Sequence, residues 1–197
     1  MARQIELLSP NDPFVQDMIT TVRKNSHYTL VGGKDSRVFY DLDSYYLTPQ
    51  KMELLVIKIV EAINFLINAG IEFDRIAFLD KKEGTIGLLP LFSAVQASIN
   101  KPAIIVRLER ELIRNSIKGE IKEGENILIL NDAATSGRTL FKAIEKIVQH
   151  GCIVKNALVV NDRLQGATEK LDEQGVQLFS LTSVQQSAVS KENIFSK

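Results

Sequence analysis

Apolar residues along this chain fall into two rhythms, one helical and one suited to buried strands. From Pro13 to Lys24, Phe14, Val15, Met18, Ile19 and Val22 recur at helical spacing, with Asn11 or Asp12 placed to cap the first turn. Leu54, Leu55, Ile57, Ile59, Ala62, Ile63, Leu66 and Ile67 predict a longer helix, entered through Thr48-Pro49 and stopped at Gly70. Between the two, Tyr28 to Tyr46 reads as a hairpin or extended arm, with a turn over Val31 to Asp35 and an aromatic-rich strand over Arg37 to Leu42.

After Gly70 the pattern alternates. Strands are predicted over Asp74 to Leu79, Ala103 to Val106, Ile127 to Leu130, Ala157 to Val160 and around Val176 to Leu181. Helices are predicted over Leu89 to Ile99, Thr139 to Gln149 with Gly151 as its stop, and Gly166 to Gln174. Strand–helix alternation of this kind implies an α/β fold, a mainly parallel twisted sheet with helices on both faces. The 197 residues suggest one domain, with no repeat or linker and a tail over residues 185–197, of which Ser187 to Lys197 is expected to fray.

Charge narrows the ligands. The chain carries 24 basic and 24 acidic residues, so no global field favours nucleic acid or an anionic membrane, and a small charged ligand bound locally is expected. Cys152 is the single cysteine, beside two histidines, His27 and His150, which excludes a disulfide framework and a Cys/His zinc cluster. The most apolar stretch, Leu54 to Ile67, is broken by Lys58, Glu61 and Asn64, and the amino terminus lacks signal-peptide regions. A soluble cytoplasmic protein is expected.

The chemistry concentrates where the apolar run Ile127-Leu128-Ile129-Leu130 meets Asn131-Asp132-Ala133-Ala134-Thr135-Ser136-Gly137-Arg138-Thr139. A strand breaking into small and hydroxyl residues that open a helix offers amides and hydroxyls to an anion. Asp132 stands where ligands bind in open parallel sheets, within reach of sugar hydroxyls or, through water, a magnesium shell. An ordinary strand-to-helix turn with Thr135 or Ser136 as cap is the plain alternative. Neither the dinucleotide fingerprint nor a P-loop is present.

This segment resembles the phosphoribosyl-pyrophosphate (PRPP) motif of the type I phosphoribosyltransferases. The resemblance implies that the loop from Ala133 to Thr139 wraps the 5-phosphate, that Asn131 and Asp132 face the ribose, and that PRPP arrives with Mg2+. Two further segments are similar to the orotate branch. Tyr28 to Asp41 looks like its small amino-terminal hood, spanning about residues 28–46, and would place Phe39 and Tyr40 near the base; core packing is the alternative. Asn161-Asp162-Arg163 looks like the segment whose arginine meets the orotate carboxylate, a surface Asp–Arg pair being the alternative.

Several positions depart from that pattern. Asn131 stands where an acid is usual, Val31 and Ile86 where lysines are usual. In the catalytic loop, which the family shares across a homodimer, only Arg107 matches; Leu108 and Glu111 take lysine positions and no histidine is present. Arg110, Arg114 and Lys118 recur at intervals of four and could present three cations on one helical face, or form an ordinary solvated surface. Two functions are therefore open. One is phosphoribosyl transfer from PRPP to orotate or a related base, with Asp132 and Arg107 catalytic. The other is a weakly catalytic or non-catalytic protein that binds PRPP or a nucleotide monophosphate for regulation.

Overall fold

The computed structural model describes residues 5–29, 35–80, 88–109 and 116–183. In chain order these form β1 (Ile5–Glu6), α1 (Pro13–Val22), β2 (Arg23–Thr29), β3 (Asp35–Tyr40), α2 (Asp43–Tyr46), α3 (Pro49–Asn68), β4 (Arg75–Asp80) and α4 (Leu88–Ile99). They continue through β5 (Ala103–Arg107), β6 (Ile117–Lys118), β7 (Asn126–Ala134), α5 (Arg138–Val148), β8 (Ile153–Asp162), α6 (Ala167–Asp172) and β9 (Gln177–Ser183). Seven strands make one sheet in the order β1-β9-β8-β7-β4-β5-β6, and β2 with β3 makes a separate antiparallel pair.

The two rhythms of the sequence explain the layers. Side chains alternate across a strand, so Leu128, Leu130, Leu158, Val160, Phe179 and Leu181 pack with α1, α3 and α4. Their neighbours Ile127, Ile129, Ala157, Val159 and Leu178 pack beneath α5 and α6. Right-handed crossovers dictate this division: β4–α4–β5 steps one way along the sheet and β7–α5–β8–α6–β9 the other, so α4 lies on the opposite face from α5 and α6. β7 and β4 are parallel neighbours where the two directions part.

Asp12 caps α1, accepting from the Phe14 amide at 2.8 Å, and the long helix begins at Pro49 and ends before Gly70, which has φ +86°. The sheet is parallel throughout except for β6, which runs antiparallel to β5. That strand corrects the helical reading of the charged segment at its end: Lys118 pairs with Ile105 on the sheet edge. Ile117 and Lys118 extend because β5 offers them an open edge and Gly119, at φ +100°, then turns the chain where its missing Cβ would meet the Ala103 carbonyl oxygen at 2.9 Å. Arg110, Glu111 and Arg114 lie outside the described residues, as do Val31, Ile86 and the tail from residue 184. β1 had no signal in the sequence, being only Ile5–Glu6 and held by pairing with β9. No helix among the described residues is long and apolar enough to cross a membrane.

The amino-terminal end of the sheet is stitched by Arg75, whose Nε and Nη2 donate to the two carboxylate oxygens of Glu125 at 2.6 and 2.9 Å. The Glu125 carboxylate also accepts from the Lys122 amide at 2.9 Å. The paired guanidinium holds the Glu125 carboxyl below its usual range, and the same contact raises Arg75. Arg75→Ala is expected to cost about 2–3 kcal/mol at neutral pH, because it strands a mostly buried carboxylate. A depressed carboxyl stabilises above its unfolded pKa and loses that contribution as acid protonates it. Urea titrations should therefore show the penalty shrinking below about pH 4.

Candidate active site

The carboxyl ends of the parallel strands carry the candidate residues in spatial order. Arg163 follows β8, Asn131 to Ala134 end β7, Asp80 ends β4 and Arg107 ends β5. The β7–β4 junction is the topological switch point, where open α/β sheets leave a crevice for ligands.

β7 runs to Ala134, past the expected end at Leu130, so Asn131 and Asp132 are strand residues with opposite orientations. Asn131 is fully buried on the α5 side, and its Nδ2 donates to the Ala133 carbonyl oxygen at 2.8 Å. Asp132, in the half-buried class, follows the parity of Leu128 and Leu130. Thr135 and Ser136 then bend the chain, and Gly137 begins α5 in the left-handed region at φ +72°. Among the described residues no side chain caps this helix, which rules out Thr135 or Ser136 as a hydroxyl cap. The first helical bond runs from the Phe141 amide to the Gly137 carbonyl, so the amides of Arg138, Thr139 and Leu140 open the helix as anion donors. Thr135 and Thr139 are half-buried, Ser136 and Arg138 exposed, and Gly137 buried.

A second turn stands beside this loop. The Arg163 amide donates to the Ala134 carbonyl at 2.9 Å, tying the end of β8 to the start of the phosphate-type loop. Asp162 Oδ1 accepts from the Leu164 amide at 3.0 Å and Oδ2 accepts from the Thr168 hydroxyl at 3.1 Å. Leu164 takes φ +54°, so the carboxylate holds a turn that a leucine resists, and half-buried Arg163 sits within it. Burial raises the Asp162 carboxyl above its ordinary value against the opposing pull of these two donors. A carboxyl raised on folding contributes most below its unfolded pKa and loses that contribution as pH climbs through its folded value. Asp162→Asn keeps an acceptor for Leu164 and removes the buried charge. Its stability relative to the unmodified protein should rise as pH climbs above about 4, the unfolded carboxyl range, read from denaturant midpoints.

On the other side of the switch point, Arg107 Nε lies 3.9 Å from Asp80 Oδ2, and both side chains are partly exposed. Asp80, Arg107 and Lys118 line a cavity of about 270 Å³ floored by Phe78, Phe92 and Ile105. The structure thus brings Lys118 beside Arg107, an association that the interval-of-four pattern hid because it joins separate strands. Phe39 and Tyr40 lie on β3 in register with Lys24 and Arg23. Among the described residues no group of three His, Cys, Asp or Glu side chains could hold a metal ion.

A sheet of this order, with its strand–loop–helix unit at the switch point, is the fold of the type I phosphoribosyltransferases. Orotate phosphoribosyltransferase from Aeropyrum pernix shares the fold at a TM-score of 0.69 and 23% identity, over 83% of this chain and 88% of that one. Relatives in sequence include orotate phosphoribosyltransferases of Methanocaldococcus jannaschii, 32% identical over 81% of this chain and 85% of that protein, and of Pyrococcus abyssi, 30% identical over 82% and 85%. No protein-family model matches the chain. The chain belongs to the orotate phosphoribosyltransferase family.

Proposed function

We propose that this protein transfers the phosphoribosyl group of PRPP to orotate with release of pyrophosphate. The observation that carries the reading is the uncapped amino terminus of α5, opened by Gly137 after the two-residue bend that follows the strand carrying Asp132 at the switch point. The bond formed joins the base nitrogen to the anomeric carbon. The bond broken is that carbon's link to pyrophosphate, which leaves with the electron pair while the base nitrogen loses its proton to water. The protein's part is positioning and charge stabilisation.

In this reading the amides of Arg138 to Leu140 and the hydroxyls of Thr135, Ser136 and Thr139 take the 5-phosphate. Asp132 faces the ribose and opposes positive charge developing at the anomeric carbon. Arg107 and Lys118, which share one cavity wall, meet the pyrophosphate side, and Arg163 meets the orotate carboxylate. Phe39 and Tyr40 belong to the hood over the base. The donor set fits a cation carried in by the substrate: Mg2+ keeps several waters and binds through substrate phosphates with one or two carboxylates, a role open to Asp132. Bound there, it would neutralise pyrophosphate charge. A homodimer accords with the exposed apolar residues Leu54, Ile57 and Phe65 on one side of α3, and sedimentation tests it.

Incubation with PRPP, Mg2+ and a panel of bases, following pyrophosphate release, should give turnover with orotate above the other bases. Nucleotide monophosphate binding without turnover would assign the protein to regulation instead. Arg163→Lys keeps charge but loses the planar fork, so KM for orotate should rise about tenfold with KM for PRPP unchanged. Equal changes in both constants would remove Arg163 from the base site.

A further inference from the structure

Resting on the reading of the β7–α5 loop as the phosphate cradle, we infer that Asn131 is a positioning residue that sets the bend from β7 into that loop through its bond to the Ala133 carbonyl. Up to Leu130, β7 is flanked by β4 and β8; beyond it, the described pairs of β7 are with β8 alone. A strand supported on one side, just before it turns, needs another tie. The Asn131 Nδ2 donates across that last stretch at 2.8 Å, two residues before Thr135. Its direction is settled by chemistry, because a carbonyl partner requires the nitrogen.

The surroundings suit an amide and reject an acid. Asn131 has 0% exposure, and its Oδ1 has no hydrogen-bond partner among the described residues. A carboxylate there would gain no donor, would set an acceptor against the Ala133 oxygen, and would lose its water. On this side α5 and α6 contribute Leu140, Ala143, Ala167 and Leu171 to the packing. At the neighbouring strand ends the acids are Asp132 on β7, Asp80 on β4, Asp162 on β8, and Glu6 on β1, which accepts from Thr182 and Ser183 of β9; the cations are Arg163 after β8 and Arg107 on β5. The four acids oppose a further negative charge, and the two arginines follow strand ends rather than the α5 side on which Asn131 is buried. The asparagine is therefore the residue that the part-buried Ala133 carbonyl suits, rather than a weakened ribose contact.

The pH behaviour of Asn131→Asp separates these roles, because a protonated carboxyl can donate to the Ala133 oxygen and a carboxylate cannot. Amide exchange over Thr135 to Leu140 in the ligand-free protein, compared with the unmodified protein at each pH, should be about tenfold faster in the variant near pH 8 and return toward it near pH 5. Asn131→Leu, which has no donor at any pH, should lose protection at both. In parallel, PRPP affinity by calorimetry should fall in Asn131→Asp near pH 8 and recover near pH 5. Unchanged exchange in both variants, or PRPP binding by Asn131→Asp equal to or tighter than the unmodified protein near pH 8, would overturn the inference. Failure of the unmodified protein to bind PRPP would instead count against the proposed function, and the ligand-free exchange would still decide the role of Asn131.

Discussion

Asp132→Asn is expected to lower kcat for orotate about 10²–10³-fold while leaving PRPP affinity within a few-fold, the size of effect seen when one preorganised electrostatic group is removed from a reacting centre. The reason lies in the strand geometry. Asn131 and Asp132 are consecutive strand residues on opposite parities, and the Asn131 amide is bonded to the Ala133 carbonyl. In the proposed function no second acid on β7 shares the duty of facing the ribose, so the anionic stabilisation expected from β7 rests on Asp132 alone. In the proposed function the 5-phosphate is held by the loop and helix that follow, which the substitution leaves in place. Steady-state kinetics with calorimetry separates the two, and a loss of less than about tenfold in kcat would place the charge elsewhere.

Gly137→Val is expected to destabilise the fold by about 3–5 kcal/mol and to abolish measurable PRPP binding. Any Cβ at this position meets the Leu171 Cδ1 at 3.0 Å and the Ala167 Cα at 3.2 Å, and the backbone sits at φ +72°. The first contact can yield, being the tip of a side chain. The second is backbone of α6, which follows directly on the Arg163 turn. A β-branched residue thus forces the phosphate loop away from α6 as well as straining its own backbone. Gly166→Ala is the control: it has φ +91° but nothing within 4 Å of an added Cβ, so it should cost only the backbone strain, about 1–2 kcal/mol. Thermal unfolding and PRPP calorimetry on both variants test this. Equal losses would mean that strain alone, without contact to α6, accounts for the effect.

Those two positions show how far the residues themselves can be read. The strand–loop–helix unit was legible because a buried strand and a helix opening through Gly137 each leave a local mark. The length of β7 was not, since Asn131 and Asp132 interrupt the apolar run at the point where the sheet gives way to a ligand crevice. Polar residues at a working strand end look like loop residues. Had the strand been carried to Ala134, the period of two alone would have separated Asn131 from Asp132. Lys118 shows the opposite limit: its spacing from Arg114 suits a helix, yet pairing with β5 makes it a strand residue beside Arg107.

By itself the sequence determined the alternation of strands and helices, the strand–loop–helix unit around Thr135 to Thr139 and the kinship carried by its motifs, because each depends on residues close together in the chain. Only the tertiary structure decided that Asn131 turns inward, that Gly137 abuts Ala167, that Arg163 is tied to Ala134 and that Lys118 joins Arg107. Those outcomes depend on which strands become neighbours and how closely two helices approach, and contacts between distant residues set both.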